Sequence, residues 1–141
     1  MEEEEKQLKR LLEKAEWTEE EQSWLLNYLE YSDGLELEKL MRGYFKKTHN
    51  AGELIRRLQK NDTSAFDIIF QSYEPAVFSN IMKITHNEPA TTLLVHDVFV
   101  SLWEVRHSIS SERVLSGWLF AKGYGKAVNY LTQELKKKLG N

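Results

Sequence analysis

Cysteine is absent from this 141-residue chain, which excludes disulfide staples, thiol nucleophiles and cysteine-ligated zinc, and fits a reducing cytosol. No apolar run approaches the ~20 residues of a membrane-spanning helix. The opening Met1-Glu-Glu-Glu-Glu5 is the opposite of a cationic signal peptide. A cytoplasmic location without a membrane span is therefore expected. The four histidines, His49, His86, His96 and His107, show no HExxH or other paired ligand spacing, so no metal site is expected. No glycine-rich phosphate loop occurs, because Lys122-Gly-Tyr-Gly-Lys126 lacks the Walker spacing. Carboxylates are plentiful, but none stands at a recognisable catalytic spacing. The chain is expected to be no enzyme, with no catalytic residue and no cofactor. Only two prolines and seven glycines interrupt it, which favours long helices.

What is present suits a compact soluble protein: 41% hydrophobic and 29% charged residues. The net charge of −3 hides an asymmetry. Residues 1–48 hold 8 basic and 13 acidic side chains, a net of −5, and residues 49–141 hold 11 and 9, a net of +2. An acidic segment before a mildly basic one is compatible with two units that attract each other, and equally with the fluctuation any short window shows.

Helical periodicity dominates both halves, and the expected fold is all-α. Leu8, Leu11 and Leu12 share one face of a first helix over residues 2–15. Thr18 with Glu21 forms a capping-box pattern that starts a second, whose stripe is Trp17, Trp24, Leu25, Tyr28 and Leu29. Asp33 with Glu36 repeats the pattern for a third, carrying Leu37, Leu40, Met41, Tyr44 and Phe45. So small a bundle has little to bury alone, so Trp17, Trp24, Leu25 and Tyr28 are expected to dock on the remainder. The polar stretch 46–52 marks the boundary, giving units at 1–48 and 53–141 with a linker at 49–52. The second unit reads as helices over 53–60, 65–85 with a bend at Pro75, 89–106 and 114–139.

Two segments of that second unit stand out. On the helix through Glu88 to Arg106, Leu94, Val95, Val98, Phe99 and Leu102 form a core stripe. The opposite face holds Leu93, His96, Asp97, Val100 and Glu104, with Trp103 on its flank. Apolar Leu93, Val100 and Trp103 among charges imply a partner surface, or a helix buried on both sides. The patch is expected to be covered by residues 1–48 or by another protein. The last helix interleaves Trp118, Phe120, Tyr124 and Tyr130 with Lys122, Lys126 and Lys136–Lys138. Cations for phosphates and rings for bases suit an opened nucleic-acid strand, while the same residues also suit core packing and helix-dipole compensation.

These residues resemble a known family. Leu54-Ile-Arg-Arg-Leu with Asn61-Asp-Thr-Ser-Ala-Phe-Asp67, Tyr73-Glu-Pro-Ala-Val-Phe78, Val95-His-Asp-Val-Phe-Val-Ser-Leu-Trp-Glu-Val-Arg106, and Trp118-Leu-Phe120 with Ala127-Val-Asn-Tyr-Leu131 resemble, in order, region 2 of extracytoplasmic-function sigma factors. These subunits direct bacterial RNA polymerase to promoters. The resemblance spans residues 53–138 and implies a sigma region 2-like helical bundle. It also implies that Leu93, His96, Asp97, Val100, Trp103 and Glu104 face the clamp helices of RNA polymerase core or an anti-sigma partner. Ser108, Ser110, Ser111, Arg113, Lys122, Tyr124, Lys126 and Asn129 would face promoter −10 DNA. The chain departs from the family pattern at Thr92 and Leu93, usually acidic, and at Tyr124, Gly125, Thr132 and Gln133, usually basic or Asn, which implies weaker binding. Gly123 and Gly125 each cost roughly 1 kcal/mol against alanine in a helix. Within these residues nothing corresponds to region 4.

Leu11-Leu-Glu13, Trp17-Thr-Glu-Glu-Glu21 and Trp24-Leu-Leu-Asn-Tyr-Leu-Glu30 resemble the cytoplasmic N-terminal domain of FecR-type anti-sigma factors. Three readings stay open: a sigma region 2 module occluded by an anti-sigma-like domain through an intra- or intermolecular contact, an active sigma-like initiation factor, and a helical adaptor that binds no DNA.

Overall fold

The computed structural model describes residues 2–32, residue 41 and residues 50–140. Among them are six α-helices, one 3-10 turn and no strand, so the fold is all-α. The helices are α1 (Glu2–Leu12), α2 (Glu19–Tyr31), α3 (Ala51–Gln59), α4 (Thr63–Thr85), α5 (Glu88–Val105) and α6 (Glu112–Gly140), with the 3-10 turn at Arg106–Ser108. The helix expected after Asp33 falls outside the described residues except for Met41, which packs half-buried against the core.

Local chemistry sets the ends. Thr18 and Glu21 form the capping box of α2, each side chain bonding the other's backbone N–H. Asp62 accepts hydrogen bonds from Ser64 and Ala65 at the start of α4 and pairs with Arg57 at 2.9 Å. Asn87 caps α5 through Ala90, with Pro89 in the first turn, where its missing N–H is harmless. Buried hydroxyls of Thr85 and Thr91, 2.7 Å apart, tie the end of α4 to α5. α4 runs unbroken through Pro75. Ala51 and Gly52, expected in the linker, form the first turn of α3, and Ala51 is buried.

The centre of the molecule is the first half of α6. From Val114 to Ala127 all but two residues, Ser116 and Tyr124, are buried, with α4, α5, α1 and α2 packed around them. Trp118, Leu119 and Ala121 are wholly inaccessible. One continuous core joins Leu8, Leu11, Leu25 and Leu29 of the N-terminal helices to Leu58, Ile69, Val77, Val98, Leu102 and Trp118. The two units distinguished in the sequence thus share one core. Beyond Ala127 the side chains of α6 turn outward, and Leu131, Leu135, Leu139 and Lys136–Lys138 are exposed.

Candidate functional site: the covered face of the last helix

Residues 13–17 link α1 to α2 and lie across one face of α6. The sequence closes this link on itself: the Trp17 indole N–H donates to the Leu11 carbonyl at 2.9 Å, and Lys14 pairs with Glu21. Trp17 then meets Trp118 edge-on, with ring centroids 6.3 Å apart. Lys122 Nζ donates to the Ala15 carbonyl at 3.1 Å and approaches Glu16 Oε2 at 3.5 Å, while Lys126 Nζ donates to Glu16 Oε1 at 3.1 Å. The Lys122 ammonium also sits 4.7 Å from the Trp17 ring centre, within cation–π range.

Glycine makes the contact possible. A Cβ at Gly125 would stand 2.0 Å from the Lys14 carbonyl oxygen, so backbone meets backbone there. At Gly117 a Cβ would stand 2.3 Å from a methyl of buried Leu29 on α2. Lys122, Gly125 and Lys126 share a helical face through spacings of three and four. The glycine read as a helix defect is the seat of the link.

The electrostatics follow from burial. Lys122 and Lys126 side chains are 6% and 8% exposed, whereas Glu16 is 78% exposed. Burial pushes the Lys122 pKa below its ordinary value, partly offset by the charge of Glu16 and of Glu104 on α5. Burial pushes the Glu16 carboxyl up, but hydrogen bonds and charge from Lys126 and Lys122 outweigh it and hold the pKa below the usual carboxylate range.

The residues expected to face nucleic acid therefore divide. Ser108, Ser110, Ser111 and Arg113 form an exposed stretch, with Arg113 Nη2 donating to the Ser32 carbonyl at 2.8 Å. Lys122 and Lys126 are not exposed: the 13–17 link covers them. Tyr124, against Phe120, and Asn129 are half-buried. Of the residues expected to dock the N-terminal segment, Leu25 is inaccessible, Tyr28 is buried and stacks on half-buried Trp24, and Trp17 reaches α6 directly.

The α5 face is the reverse. Leu93, His96, Asp97, Val100 and Glu104 are all exposed and together, Leu93 at 68% and Val100 at 45%. Of the N-terminal segment expected to cover this patch, α1 and α2 seat on α6 instead, and most of residues 33–49 lie outside the described residues. Trp103 leaves the patch: it is half-buried, edge-on to Phe66 at 5.4 Å, with the Arg106 guanidinium 4.0 Å from its ring. Among the described residues, no group of three or more histidines and carboxylates converges as a metal site, and no helix is long and apolar enough to cross a membrane. The sequence reading missed Gly117 and Glu16, and took Gly125 only as a cost to its helix. The signal available was two glycines eight residues apart in a helix facing an acidic partner segment.

Compared with protein-family models, curated proteins and solved structures, the chain matches none.

Proposed function

We propose that this chain regulates bacterial transcription initiation as a sigma region 2-like module whose DNA-facing surface is held shut by its own anti-sigma-like N-terminal segment. The observation that carries the reading is the burial of Lys122 and Lys126, the cations expected at promoter −10 DNA, beneath residues 13–17. The acidic balance of residues 1–48 supports it, since an acidic segment lies over the cations of a basic one. The module acts by occlusion and carries out no reaction. Its α5 face, with Leu93, His96, Asp97, Val100 and Glu104 exposed, stays free for the clamp helices of RNA polymerase, so partner docking and DNA binding are separable.

Gly125→Ala tests the reading in the full-length chain. The added methyl collides with the Lys14 backbone and expels the link, while alanine strengthens the helix itself. Binding to a fluorescent bubble duplex bearing a −10-like sequence should tighten at least about tenfold over wild type, with preference over a scrambled bubble. Wild type and Gly125→Ala binding equally well would favour an active sigma-like factor instead. Absence of binding by both, even at low salt, would leave the adaptor.

A further inference from the structure

Two ammonium groups are walled in at the link between α1 and α2, and one solvent-facing carboxylate reaches in to meet both. That asymmetry is informative. Lys122 and Lys126 lie one turn apart on α6, about 6 Å along the axis, and their Nζ atoms converge on the two oxygens of Glu16. The cations belong to the scaffold, because both are almost wholly buried. The anion is the replaceable part, being mostly in solvent. Glu16 is the only carboxylate in ion-pair contact with these two lysines among the described residues, with Glu104 on α5 acting on Lys122 by charge alone, so in direct contact two ammonium groups share one carboxylate. An incompletely matched buried charge is costly and favours a stronger anion. The Ala15 carbonyl and the Trp17 ring give Lys122 partners besides the carboxylate.

We infer that Lys122 and Lys126 form a seat for a phosphate group, and that Glu16 occupies it as the resident stand-in for that group. A phosphate presents several anionic and acceptor oxygens on one centre, which suits two converging ammonium donors better than a single carboxylate. It can arrive on a nucleic-acid strand or free in solution. Strand binding rests on the function proposed above, whereas binding of free phosphate does not. Entry requires Glu16 to leave, so the carboxylate sets the threshold for opening. This assigns Glu16 a ligand-competing role, beyond occlusion by the segment as a whole.

The test uses full-length wild type, Glu16→Gln and Glu16→Asp, titrated separately with inorganic phosphate and with a short oligodeoxythymidylate. The Trp17 indole N–H resonance is followed, because that group bonds Leu11 and lies beside Lys122. Glu16→Gln should bind at least about tenfold tighter than wild type, with Glu16→Asp between them. Adding Lys126→Met to Glu16→Gln should abolish the gain. For the strand, the slope of log affinity against log salt should steepen by about 0.7 for each additional phosphate that the lysines neutralise. Tighter binding of both probes, or of the strand alone, supports the seat and is in line with the proposed function. Tighter binding of inorganic phosphate alone supports the seat and speaks against the nucleic-acid reading. Equal binding by wild type and both variants, for both probes, overturns the seat, even if wild type binds bubble DNA.

Discussion

Two faces of this molecule contrast. The outward face of α5 presents Leu93 and Val100 to solvent, whereas the face of α6 that carries Lys122 and Lys126 is sealed. Hydrophobicity alone would assign the N-terminal segment to the first face and leave the second open. The apolar stripes of α1 and α2 join the core around α6 instead, and glycines there allow close backbone approach. Gly117 and Gly125 let Leu29 and the Lys14 carbonyl approach α6 more closely than any side chain would allow. Two exposed aliphatic side chains on α5 offer too little area to compete, and isolated ones are ordinary on protein surfaces. Once the link lies on α6, the two lysines beneath it need partners, and Glu16 with the Ala15 carbonyl supplies them.

Substitutions on the sealed and open sides should behave very differently. The largest effect is expected at Leu25, inaccessible on α2. Leu25→Ala should cost roughly 2–5 kcal/mol, seen by urea denaturation as one cooperative transition at a lower midpoint, because the N-terminal helices share the core of the rest. A second, separate transition would show instead that the segment folds on its own. Thr18→Ala removes half of the capping box and should cost about 1 kcal/mol, measured in the same way.

Acidification probes the sealed face. The folded pKa of Glu16 lies below its unfolded value, so the stabilisation it brings is fully present above the unfolded value. It fades as pH falls through the folded value. The Trp17 indole resonance should move in that acid window, and Glu16→Gln should remove that part of the change. At Lys122 the charged form is the disfavoured one. Its folded pKa is depressed, so its charged form weighs against folding near neutrality, and stability should rise as pH climbs through the folded value toward the ordinary lysine range. The smallest effect is expected on the open face: Leu93→Asp should change stability by less than about 0.5 kcal/mol and leave the 13–17 link seated.

Much of the fold was legible because its signals are local. The capping box at Thr18 and Glu21, Pro89 in the first turn of α5, and the periodic leucines of α1 all concern neighbours in sequence. The outward grouping of His96, Asp97, Val100 and Glu104 was equally readable, since a single helix decides it. The sealed face was not. Lysines are almost never fully buried unless paired, and their partner Glu16 lies more than a hundred residues earlier in the chain. Gly125 counts as a cost within its own helix. Its use appears only when the opposing backbone is in place, which no periodicity reports. Trp103 was misjudged for a related reason: Phe66, whose ring packs edge-on against it, comes from α4.

The central claim is that the N-terminal link covers Lys122 and Lys126 while the end of α6 stays open. Lysine acylation of the folded full-length chain by a water-soluble ester, resolved residue by residue by mass spectrometry, reads this directly. Lys136, Lys137 and Lys138 are exposed and should label at least about tenfold faster than Lys122 and Lys126. Gly125→Ala should raise the rates at Lys122 and Lys126 toward those of the exposed lysines. Equal labelling of all five in the wild-type chain would contradict the account.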